Sequence, residues 1–146
     1  MPRLQSFGAA TILFVAVLAL PFPTPDAPPA DAPPDSTEPL HRLMVGLAQD
    51  MDRIATGIWH EDYTLIREGA YGIAQHPKIP PRQIAKIKKA LGPSFKTFVQ
   101  YDKAVHQEAM NLVQAAEART WSSVLQTRAR LQQGCVNCHT AFRDSL

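Results

Sequence analysis

From Leu40 onward, apolar residues recur at the spacing of an α-helix, with no sustained alternation of the kind a strand would show. Leu40, Leu43, Met44, Leu47, Met51 and Ile54 fall at i, i+3, i+4, i+7, i+11 and i+14, which is one face of a first helix. Asp35 with Glu38, or Ser36 or Thr37 alone, can cap its start; Pro39 suits the first turn and Gly57 lies near the end. A second helix is predicted from about His60 to Gln75, with Tyr63, Ile66, Ala70, Ile73 and Ala74 inward, stopped by "HPKIPP". Pro80-Pro81 open a short helix, "RQIAKIKKAL", closed by Gly92-Pro93. A third long helix starts near Ser94 and turns Phe95, Phe98, Val105, Ala109, Leu112 and Ala116 inward. The fourth follows Thr120, an N-cap residue type, with Trp121, Val124, Leu125, Leu131, Cys135, Cys138 and Phe142 on its apolar face. No internal repeat is present. The fold class that follows is all-α, an antiparallel four-helix bundle over residues 40–146, with the long connection between its second and third long helices.

The first 39 residues follow other rules. Met1-Pro2-Arg3 precedes an apolar run, Phe7 to Leu20, that is shorter than the roughly 20 residues of a membrane span. Residues 1–20 are expected to be a signal peptide, with Val17-x-Ala19 as a cleavage site, or an uncleaved N-terminal membrane anchor. Either implies export, to a bacterial periplasm. Residues 21–39 hold eight prolines, which remove backbone donors and favour an extended chain, so this stretch reads as a stiff linker or membrane tether. The linker carries −4 and residues 40–146 carry +5, with 14 Lys and Arg against 9 Asp and Glu. So mild a basic balance points to acidic partner surfaces or anionic headgroups rather than to nucleic acid, for which no motif is present.

Both cysteines fall in the last dozen residues, in Cys135-Val136-Asn137-Cys138-His139. This C-x-x-C-H pattern is the attachment sequence of c-type haem. Two thiols three residues apart can form thioethers with the two vinyl groups on one porphyrin edge, and the next residue then sits beneath the iron. On a helix, positions 135, 138 and 139 share a face that is expected to continue the apolar stripe, so that one covalent haem c enters the core with His139 as proximal ligand. A dithiol redox pair normally opens a helix after a strand, and a structural zinc site wants four ligands; neither pattern is met here.

"CVNCHTAFR" at the C-terminus of an exported helical chain resembles the class II cytochromes c, that is, cytochrome c prime and its low-spin, methionine-ligated relatives of the cytochrome c-556 type. The likeness covers about residues 38–146 and extends to Phe142-Arg143, to "QYDKAVHQEAMNLVQAA" and to "HRLMVGLAQDM". It implies a four-helix bundle with haem near the C-terminus of the last helix, and an electron carrier rather than an enzyme. Met44 stands where the low-spin relatives have their sixth iron ligand; Met51 lies two turns further on the same face, and Met110 reads as packing. In cytochrome c prime an apolar residue stands there instead, and the five-coordinate iron binds nitric oxide or carbon monoxide. The resemblance places Phe142 and Arg143 near the proximal imidazole; Arg42, or His41 beside it, can meet a haem propionate. His60 and His76 are expected at the surface, and His106 as a satisfied helix histidine. Expected partners are redox proteins, steered by the cluster Lys86, Lys88 and Lys89, with a homodimer or a membrane tether as further associations.

Overall fold

The computed structural model describes residues 38–146, which lie in the second of two units, Pro33–Leu146. The apolar run, most of the Pro-rich linker and the N-cap candidates Asp35, Ser36 and Thr37 fall outside the described residues. Helix α1 spans Glu38–Trp59, α2 Tyr63–Ala74, α3 Pro81–Leu91, α4 Phe95–Glu117 and α5 Trp121–Phe142. A 3-10 turn precedes α4 and another follows α5. No strand occurs among the described residues.

Local chemistry sets most of these boundaries. Asp62 caps α2: its carboxylate accepts from the backbone N–H groups of Thr64 (2.8 Å) and Leu65 (3.2 Å), two donors that a helix start leaves unpaired. Pro81 opens α3, where a missing N–H is harmless, and Gly92 at φ 51° ends it. Thr120 precedes α5 as expected, yet its hydroxyl makes no cap bond and donates to the Ala118 carbonyl at 3.2 Å instead.

Gly57 lies near the end of α1, as expected, two residues before Trp59, and the turn follows at His60–Asp62. It also serves close packing. A Cβ on Gly57 would lie 2.8 Å from Ile66 Cγ1 and 2.9 Å from the Asp62 carbonyl. A Cβ on Gly69 would lie 2.6 Å from the Asp50 carbonyl oxygen and 2.8 Å from Ile54 Cγ1. These glycines let the backbones of α1 and α2 approach more closely than any other residue would allow.

The helices pack in chain order, α1 on α2, α2 on α4 and α4 on α5, while α1 and α5 come into little close backbone contact. Directions follow from side chains. Tyr63, at the start of α2, bonds the Arg119 carbonyl at 3.0 Å and packs on Trp121, beyond the end of α4. Leu40, near the start of α1, packs on the same apolar cluster as Cys138 and Phe142, near the end of α5. Neighbouring long helices are therefore antiparallel, as in a four-helix bundle.

Two apolar clusters divide the core. The larger holds Ile54, Ile66, Ala70, Ile73, Leu112, Val124 and Leu131. The second lies at the Cys138 end and joins Ile87 and Leu91 of α3 to Phe142, with Leu40, Phe95, Phe98 and Tyr101 around them. Only 12 residues long, α2 stops about halfway along its 22- and 23-residue neighbours, and α3 supplies apolar side chains at the far end. Leu125, expected inward, is 51% exposed. The buried stripe of α5 is Val124, Thr127, Leu131 and Phe142, and Leu125 lies 100° of helical rotation from Val124.

A carboxyl is caught in the α1–α2 contact. A Cβ on Gly72 would fall on the Asp50 carboxyl. Burial pushes the Asp50 pKa up from the ordinary value of 3.8, with Arg53 partly opposing. The folded chain thus takes up a proton at Asp50 more readily than the unfolded one, and stability falls as pH rises through the interval between the two pKa values. Asp50→Asn is expected to raise the melting temperature at pH 7, with the gain shrinking as pH falls toward 4. Melts at both pH values check this; a variant less stable at pH 7 would show a net favourable carboxylate.

Candidate functional site

The second cluster and the end of α5 bring the C-x-x-C-H residues together. Cys135 and Cys138 are both half-buried and form no disulfide. Cys138 packs on the Ile87, Leu91 and Phe142 cluster. Phe142 is buried edge-on against Phe98 (ring centroids 5.7 Å) and Tyr101 (5.9 Å). Gly134 faces α4, where a Cβ would lie 3.1 Å from Val105 Cγ2.

His139 does not continue the buried stripe, contrary to expectation; it is exposed. A helix advances 100° per residue, so with Cys138 turned inward the next side chain swings toward the flank of α5. Among the described residues no hydrogen bond engages its imidazole, which leaves both ring nitrogens open. The aromatic contacts of Phe142 are to α4, and Arg143 lies past the end of α5 in the 3-10 turn, exposed and 3.1 Å from Asp144. The Arg143 backbone N–H still bonds the His139 carbonyl one turn back, while its side chain lies at the surface beside Asp144.

Across the bundle, Met44 is half-buried on α1, one turn after Leu40. Unlike Leu47, Met51 and Met110, it packs on neither apolar cluster among the described residues. Simple core filling, the ordinary use of a helical methionine, thus fits Met51 and Met110 better than Met44. His41 and Arg42 are exposed.

Both thiols are held protonated at neutral pH. Burial pushes Cys135 above its ordinary value of 9.0, against a lowering by a backbone hydrogen bond. Burial also raises Cys138, helped by the negative charges of Asp102 and of Cys135 when ionised. A disulfide oxidoreductase needs the reverse, a thiolate stabilised at a helix start or beside a cation.

Sequence reasoning missed two features. Arg128 Nε is buried with no hydrogen-bond partner among the described residues. It stands seven residues before Cys135, about 10 Å along the helix, where an anionic group would satisfy it. The other feature is a cluster of His76, Asp102 and His106, whose ligand-type atoms all lie within 4.8 Å of one another. His76 was expected at the surface, but its side chain is only 13% exposed and its ring lies 4.6 Å from that of His106. Asp102 and His106 are spaced i, i+4 on α4, which was legible; the fold brings His76 to them from the loop after α2.

Basic residues collect beside the cysteine end. Lys86, Lys88 and Lys89 are exposed on α3, whose other face carries Ile87 and Leu91 into the second cluster. A shallow open groove of about 520 Å³ between α3 and α4 adds Lys96 and Lys103 around Phe95 and Val99. No helix among the described residues is long and apolar enough to cross a membrane. No family model, no curated protein and no solved structure matches this chain.

Proposed function

We propose that this chain is a periplasmic monohaem c-type cytochrome that transfers electrons, with His139 and Met44 as axial ligands of one covalently held haem. The observation that carries the reading is the C-x-x-C-H sequence on α5 with two free, half-buried thiols, of which Cys138 borders an apolar cluster formed with α1, α3 and α4. The bound haem would supply a one-electron iron couple.

The chain's own residues would do the remaining work. Cys135 and Cys138 would hold the group covalently, each S–H adding across one vinyl group with sulfur on one carbon and the thiol hydrogen on the other. His139 offers an unengaged imidazole nitrogen beside that edge. Met44 offers a soft, uncharged thioether, and methionine opposite histidine raises the reduction potential. Leu40, Ile87, Leu91 and Phe142 exclude water, which strengthens every electrostatic contact nearby. Arg128 holds an unpaired buried donor suited to a carboxylate. The lysines of α3 present positive charge that would speed encounter with an acidic redox partner more than tighten it.

The test is chemical. Protein produced with c-type maturation should keep its haem through acid–acetone extraction, and Cys135→Ala or Cys138→Ala should reduce the retained fraction. Haem extracted completely from the wild type, or no haem taken up at all, would overturn the reading.

A further inference from the structure

We propose that His76, Asp102 and His106 form a binding site for one divalent transition-metal ion, best suited to zinc and made of residues other than those of the nearby C-x-x-C-H motif. The geometry begins with the ring nitrogens that face away from the cluster. His76 Nδ1 lies 2.9 Å from the Pro77 carbonyl, and His106 Nδ1 lies 2.9 Å from the Ala74 carbonyl. A carbonyl only accepts, so each Nδ1 must carry the proton. In a neutral imidazole that leaves Nε2 as a lone pair.

Both lone pairs then face the same carboxylate oxygen. His76 Nε2 is 4.0 Å from Asp102 Oδ1, and His106 Nε2 is 3.7 Å from it. Both distances are too long for a hydrogen bond. Three acceptors thus converge with nothing between them, in an arrangement a cation would satisfy. Ligating histidines characteristically donate their second ring N–H to a backbone carbonyl or carboxylate, as both do here.

The donor set selects the ion. Two imidazole nitrogens and one carboxylate oxygen match zinc with a water in the fourth position. Two bonds of about 2.1 Å span at most roughly 4.2 Å, so both His–Asp separations are already within reach. Full closure from a spread of up to 4.8 Å needs shifts on the order of 1 Å. The Asp102 side chain, 44% exposed, has room for that movement and leaves a path for the ion and its water.

Calorimetric titration of the full chain with zinc chloride tests the site. The thiols are first removed as competitors, by thioether linkage in haem-loaded protein or by alkylation where they are free. This keeps the result independent of the haem reading. One saturable zinc per chain is expected. His76→Gln, His106→Gln and Asp102→Asn should each weaken it at least tenfold with helical circular dichroism retained, while His60→Gln should leave it unchanged. X-ray absorption of the wild-type complex should show a nitrogen and oxygen shell. No saturable uptake, wild-type affinity in the two histidine variants, or a sulfur shell would overturn the proposal.

Discussion

Replacing Met44 with leucine is expected to convert a six-coordinate, low-spin haem protein into a high-spin one that binds carbon monoxide faster and has a lower reduction potential. The thioether is the only part of the side chain that a metal can use, and leucine keeps nearly the same volume without it. The fold should lose less than about 1.5 kcal/mol, particularly because Met44 packs on neither apolar cluster. If Met44 is the sixth ligand as proposed, carbon monoxide would have to displace the thioether in the wild type and would not in the variant. Absorption spectra of both oxidation states, with and without carbon monoxide, decide the matter. If the wild type is already high-spin and the substitution leaves its spectrum unchanged, Met44 is packing alone. A five-coordinate protein that binds nitric oxide or carbon monoxide then replaces the electron carrier.

The largest loss of stability is expected from Ile54→Ala. Ile54 is fully buried on α1, in the larger cluster, with Gly69 of α2 close against it. Truncation removes buried methyl and methylene groups and leaves a cavity between closely apposed backbones, at a cost of about 2–5 kcal/mol. Against a typical total stability of about 5–15 kcal/mol, that lowers the melting temperature by roughly 8–40 °C for a domain of this size. Leu125→Ala, by contrast, should stay within about 0.5 kcal/mol, because half of that side chain already faces water. Thermal melts of the two variants measure the difference; equal losses would mean that the α5 stripe is drawn wrongly.

The helical class and most boundaries were legible in the sequence because they rest on local chemistry. Apolar spacing marked the faces of α1, α2 and α4, Pro80-Pro81 and Gly92 bounded α3, and Thr120 marked the start of α5. Gly57 lies near the end of α1 as expected, but its packing role is not local. A helix-ending glycine and a close-packing glycine look alike in sequence, and only Ile66 and the Asp62 carbonyl across the contact distinguish them. On α5 the apolar residues occupy too wide an arc to fix the inward direction. Leu125 and His139 therefore turned outward once neighbouring helices claimed Val124, Leu131 and Phe142.

The candidate site divides in the same way. The sequence alone named the residues of the haem proposal, since Cys135, Cys138 and His139 fall within five positions. Tertiary structure decided what surrounds them: α3 closing over the end that a short α2 leaves open, Met44 left outside both clusters, and Arg128 Nε buried without a partner. It also brought His76 beside Asp102 and His106, 26 and 30 positions along the chain. The physical reason is range. Helix periodicity and covalent spacing act over a few residues, whereas burial, unpaired donors and converging lone pairs exist only once distant segments exclude water from one another.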